Sequence, residues 1–180
     1  MKTINTIVCA VLMIAGTQQA SAQLSVGVNA GMLFTTGNSP YNLNYPGFSI
    51  YGKYGINENI RAGISISTFS KKTSYAGGPF TPAYTITSRI SPITLTGEYL
   101  FLTDAFRPYA GLNMGLYTNR VNVNPGSNSK ETGFGIAPVI GADYKFNENL
   151  FINLNFRYHL VFDNPTSKLF SSEIGIGYQF

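Results

Sequence analysis

L-F-I-N-L-N-F-R-Y-H-L-V-F, residues 150–162, is apolar at every even position. Leu150, Ile152, Leu154, Phe156, Tyr158, Leu160 and Phe162 hold the even positions, while Asn153, Asn155, Arg157 and His159 stand among the odd ones. A period of two describes a strand with one apolar and one polar face. Strands of soluble domains usually run about 5–6 residues. About 10 residues, tilted near 45°, cross the hydrocarbon core of a bilayer. The length and the unbroken apolar face of this stretch therefore point to a strand that spans a membrane.

Seven other stretches repeat the pattern: Leu24–Phe34, Phe48–Ile56, Ile60–Phe69, Tyr84–Phe101, Arg107–Tyr117, Gly133–Phe146 and Phe170–Phe180. Asn57-Glu58-Asn59, Thr103-Asp104-Ala105 and Asn147-Glu148-Asn149 read as short turns. Longer connections, at 35–47, Lys71–Pro82, Val121–Glu131 and Asp163–Lys168, alternate with them and are rich in Gly, Pro, Asn and Ser. Short turns at one end and long loops at the other mark an up-and-down barrel of the outer-membrane type. The predicted fold is all-β: an eight-stranded antiparallel up-and-down transmembrane β-barrel. Two irregularities are expected. The apolar phase of the fourth strand passes from even (Tyr84, Ile86, Ile90) to odd (Ile93, Leu95, Tyr99, Phe101), which predicts a bulge or kink at Ser91-Pro92. Pro138 predicts a second distortion in the sixth.

Composition agrees with this class. Charged residues make up 11% of the chain, against about 25% in an average soluble domain. Met1-Lys2, the apolar run within Ile4–Gly16 and Ala20-Ser21-Ala22 have the order of a secretory signal peptide. The expected organisation is a signal peptide over 1–22 and a barrel domain over 23–180. The single cysteine, Cys9, lies in that signal, so the exported part has neither disulfide nor thiol nucleophile. The net charge of +4 singles out no partner, and no nucleic-acid patch is visible.

Charge decides which face meets lipid. The apolar phase carries none, whereas Lys53, Arg61, Arg89, Glu98, Arg107, Asp143, Lys145, Arg157 and Glu173 fall on the opposite phase. A charge on the lipid face costs about 2–4 kcal/mol at the midplane, which empties that face. Aromatic residues gather at both ends of the apolar phase. Tyr54, Tyr99, Phe101, Phe106, Tyr144, Phe146, Tyr178 and Phe180 lie towards the short turns; Phe34, Phe48, Tyr84, Phe134, Phe162 and Phe170 lie towards the loops. Two such belts bracket a membrane.

Eight strands leave an interior just wide enough for side chains to fill. An interior polar network of Lys53, Arg61, Glu98, Asp143, Lys145, Arg157, His159 and Glu173 is expected, with Arg157 facing Glu173 across the last hairpin. Buried charges must pair. No catalytic, cofactor or metal site is visible. F-R-Y-H-L-V-F bears a faint similarity to outer-membrane lipid A deacylases, which carry a His-x-Ser arrangement, but position 161 here is Val161.

P-Y-A-G-L-N-M-G-L-Y at 108–117, G-A-D-Y-K-F-N-E-N-L at 141–150 and G-I-G-Y-Q-F at 175–180 resemble the outer-membrane β-barrel domain of the porin family, in its small OmpX/OmpA-type class. The resemblance covers 23–180. It implies residence in a Gram-negative outer membrane and contact with outer-membrane lipids and lipopolysaccharide. It also implies handling by periplasmic chaperones and the barrel-assembly machinery, with Tyr178 and Phe180 as the terminal assembly signal. The resulting expectation is a monomeric, non-catalytic barrel with a structural or surface-interaction role through its loops. A narrow channel for small solutes is the alternative, and a membrane-embedded lipid hydrolase or a soluble ligand-binding barrel stands further off.

Overall fold

The computed structural model describes residues 24–36, 44–78, 83–163 and 166–180. The proposed signal peptide and parts of three loops lie outside them. Eight strands follow one another: β1 Leu24–Thr35, β2 Asn44–Gly55, β3 Ile60–Tyr75, β4 Tyr84–Leu100, β5 Phe106–Asn124, β6 Asn128–Lys145, β7 Leu150–Phe162 and β8 Ser167–Gln179. Each pairs antiparallel with its neighbours in sequence, and β1 closes on β8, from Ser25↔Gln179 to Thr35↔Leu169. Closure leaves no strand edge exposed, which a sheet in hydrocarbon requires.

The side chains are distributed inside out. Ile140 and Leu95 are 62% and 61% exposed on the outer face, while Asp143 and Glu173 are 0% and 1% exposed within the lumen. Water penalises such an exterior, and lipid stabilises it.

The two N-E-N turns explain how the short-turn end is held. Asn57 Oδ1 accepts the Asn59 and Ile60 backbone N–H groups at 2.9 and 2.7 Å, and Asn147 Oδ1 does the same for Asn149 and Leu150. These are Asx turns. The third residue of each turn then reaches the next hairpin: Asn59 Nδ2 donates to the Leu100 carbonyl at 3.0 Å and Asn149 Nδ2 to that of Gln179 at 2.9 Å.

The strands are longer than alternation alone predicts. β3 to β6 span 16, 17, 19 and 18 residues, against 12 or 13 for the other four. They rise as a wall on the loop side. Val121–Glu131 is thus not a loop: it is mostly paired strand, turning only at Pro125-Gly126-Ser127, where Gly126 takes φ 151°. Lys71 and Lys72 belong to β3 rather than to a loop.

No bulge occurs at Ser91-Pro92, although pairing with β3 is interrupted there. The pairs Ile66↔Ile93 and Phe69↔Ile90 keep one offset on either side of the proline, and β4 pairs with β5 unbroken from Thr85↔Asn124 to Leu100↔Tyr109. What changes is the interior. Ile90 and Pro92 point inward with Thr94 and Glu98, because the lumen turns apolar towards the loops. Arg89 therefore faces outward and is exposed, contrary to its predicted inward phase. Tyr84 shares the inward phase and stacks on Tyr75 above the rim, centroids 4.7 Å apart, rather than joining the outer belt. At Pro138 the offset is likewise constant, from Ile136↔Leu160 to Val139↔Arg157; the proline interrupts pairing with β7 without shifting register.

Candidate functional site

Between the short-turn rim and the loop end, side chains fill the lumen in layers. Nearest the short turns, Arg107 lies over the Phe151 ring and donates through Nη1 to Gln179 Oε1 at 3.0 Å. Arg61 comes next, bridging Glu98 and Asp143, while Lys53 Nζ pairs with Glu98 at 3.0 Å. Arg107 Nη2 reaches Asp143 at 3.5 Å. Asn153 Nδ2 donates to Asp143 Oδ1 at 2.6 Å and also contacts the Tyr109 hydroxyl at 2.9 Å. The Arg61 guanidinium lies over the Tyr109 ring, 4.6 Å from its centroid. The ring fits because Gly141, on the neighbouring strand, has no Cβ, and one placed there would come within 2.5 Å of Tyr109 Cζ. Stacking and pairing together offset the desolvation of the buried cations.

The middle layer holds Arg157, whose Nη1 donates to Glu173 Oε1 at 2.9 Å, and Ser49, whose hydroxyl donates to Glu173 Oε2 at 2.6 Å. Arg157 stands opposite Ser171 and Glu173 opposite Asn155, so the ion pair is diagonal rather than directly across the hairpin. Above it, His159 bridges the Tyr117 hydroxyl at Nδ1 and Ser171 Oγ at Nε2, both at 2.9 Å. Leu33, Tyr45, Phe69, Ile90, Tyr117, Val161 and Leu169 then form an apolar cap. On the cap sits a cavity of about 170 Å³, open towards the loop end and lined partly by Glu131 and Asp163.

The predicted network residues divide accordingly. Lys53, Arg61, Glu98 and Asp143 form one ion cluster, and Arg157 and Glu173 form another. His159 is buried but joins hydroxyls rather than charges. Lys145 keeps the inward phase but lies half-buried at the short-turn rim, outside the ion pairs formed among the described residues. Sequence reading missed Tyr117 and Ser171 as partners of His159. Their inward parity was the available signal.

The His159–Ser171 pair has the donor geometry of a nucleophile and its base, but Ser171 is fully buried beneath the cap. The other imidazole nitrogen meets a phenol rather than a carboxylate. The arrangement gives a substrate no access and the imidazolium no counter-charge. Among the described residues there is no cluster of His, Cys, Asp and Glu suited to a metal.

On the outside, T-shaped pairs Tyr99–Phe101, Tyr144–Phe146 and Tyr178–Phe180 end β4, β6 and β8 at the short-turn side. Phe34, Phe156 and Phe170 cluster towards the loop side, as do Phe134 and Phe162. An apolar band between aromatic belts, around a polar filled lumen, defines an integral transmembrane β-barrel of the small outer-membrane kind. The sequence model of the outer membrane protein beta-barrel domain matches residues 6–180, and the chain belongs to that family, whose place is the bacterial outer membrane.

Solved structures share the fold. Neisserial surface protein A superposes with a TM-score of 0.63 at 21% identity, covering 87% of this chain and 95% of that one. The attachment invasion locus protein Ail of Yersinia pestis, solved with the heparin analogue sucrose octasulfate, gives 0.62 at 17% identity, covering 88% and 97%. A protein of Haemophilus influenzae described only as uncharacterized is 25% identical over 130 residues, which cover 67% of this chain and 70% of that one.

Proposed function

We propose that this barrel is exported by its N-terminal signal to the outer membrane of a Gram-negative bacterium. There it acts without catalysis, by presenting its loop-side end to molecules at the cell surface. The observation that carries this reading is the layered packing of the lumen. Two ion clusters, a histidine–hydroxyl layer and an apolar cap lie in series, so the part of the molecule free to meet others is the tall β3–β6 wall with its loops. Function in rigid scaffolds concentrates in such connections. Tyr178 and Phe180 end β8 as an aromatic pair of the kind expected of an assembly signal for periplasmic chaperones and the barrel-assembly machinery. The closed barrel leaves no strand edge to pair with a second copy, which supports a monomer.

Planar-bilayer recording tests this. The folded protein is expected to insert without discrete conductance steps, since an apolar constriction excludes water and ions. Reproducible single-channel steps would instead establish a solute path and displace the surface reading.

A further inference from the structure

The outer face of the β3–β6 wall is banded. Ile66, Ile93, Leu116 and Phe134 form one exposed row across the four strands, connected by the pairs Ile66↔Ile93, Ile93↔Leu116 and Leu116↔Phe134. Two residues further along each strand comes a hydroxyl row, Thr68, Ser91, Thr118 and Thr132, with side-chain contacts Thr68–Ser91 at 3.4 Å and Thr118–Thr132 at 3.2 Å. Two residues beyond that stand Ser70, Arg89, Arg120 and Lys130. Each step is about 6.6 Å along the strand. The order from the membrane outward is therefore aliphatic, hydroxyl, cationic.

The last row is unusual in itself. Arg89 is paired with Arg120, and Arg120 with Lys130, as direct cross-strand neighbours. Like charges placed directly opposite one another destabilise a sheet. All three are exposed, and none takes part in the ion pairs formed among the described residues. Glu131, adjacent in sequence to Lys130, turns the other way, towards the cavity. The acidic turn residues Glu58, Asp104 and Glu148 lie at the opposite end of the barrel. No carboxylate neutralises the row from within the described wall. Strands lie about 4.8 Å apart, so the three cations span about 10 Å, the width of one phosphorylated sugar headgroup.

We propose that Arg89, Arg120 and Lys130 form a binding site for the phosphates of a glycolipid in the surrounding outer leaflet. The acyl chains lie on the row of Ile66, Ile93, Leu116 and Phe134, and the hydroxyl row meets the sugar and amide groups between them. The proposal rests on the membrane placement above. It commits to a lipid because the cations stand directly over a lipid-facing band, on the barrel wall rather than at a loop tip. Arginines supply forked donors that match phosphate oxygens, and the ligand's charge relieves their mutual repulsion.

The test uses the full protein folded into phosphatidylcholine nanodiscs carrying bis-phosphorylated lipid A or its dephosphorylated form. Bound lipid is read by native mass spectrometry. The wild type is expected to retain the phosphorylated form preferentially, and each neutralised cation is expected to weaken retention by about fivefold. Arg89→Gln/Arg120→Gln/Lys130→Gln should therefore abolish the preference. Arg120→Glu should also abolish it while raising resistance to thermal unfolding in lipid A-free nanodiscs, because it replaces two like-charge pairs with attractive ones. Equal retention of both lipids by the wild type, or unchanged retention by these variants, would overturn the site. So would competition by soluble sucrose octasulfate that binds as tightly without any lipid, since the site would then serve a soluble polyanion. Failure of the wild type to enter nanodiscs at all would instead refute the membrane reading.

Discussion

Glu173 shows what a residue in this lumen must do. It is 1% exposed and receives Arg157 on one oxygen and Ser49 on the other. Truncation to Ala leaves the Arg157 guanidinium buried without its counter-charge. The expected loss is about 3–5 kcal/mol, read from urea unfolding of the folded barrel in lipid. The double variant Arg157→Met/Glu173→Leu removes both charges and should cost far less than Glu173→Ala alone. Equal losses would show that the pair contributes through shape rather than charge. Parity made Arg157, Glu173, Arg61 and Glu98 legible as interior residues, because a charge cannot stay on the lipid face. Their partners were less so. Ser171 and Tyr117 are unremarkable inward residues until the register brings them to His159.

At the scale of the element, the N-E-N turns carry more than chain reversal. Asn147 closes its own turn with two accepted N–H groups, and Asn149 ties it to the end of β8. Asn57→Ala and Asn147→Ala should each destabilise the barrel by about 1 kcal/mol, measured by the same urea titration. The turns share no partner, so the double variant should show the sum. A double variant no worse than either single one would mean that both act through one cooperative rim. The fourth strand shows why element-level reading fell short. Alternation reports which side is apolar, and it equates that side with lipid. Around Ile90 the lumen itself is apolar, so the pattern changed face while the backbone did not. Val121–Glu131 misled for a related reason: apart from Val121 and Val123 it is Asn, Ser, Pro, Gly, Lys and Glu, and a strand that rises above the membrane with so few apolar residues has the composition of a loop.

The whole molecule is an inverted globule, with ion pairs at the centre and aliphatic side chains on the surface. That inversion was largely legible, since strand number, closure and the lipid-facing phase all follow from alternation, turn spacing and the placement of charge. The height of the β3–β6 wall and the cationic row on it were not, because they arise only once register aligns residues far apart in sequence. The protein has no tryptophan, so single introduced tryptophans report their surroundings without background. The most direct test compares Leu95→Trp and Ile140→Trp, on the outer face, with Tyr117→Trp in the cap, in vesicles whose acyl chains carry bromine. Strong quenching at 95 and 140 with little at 117 is the predicted result. Quenching confined to 117, or absent from all three, would contradict a lipid-facing exterior and return those apolar rows to a soluble core.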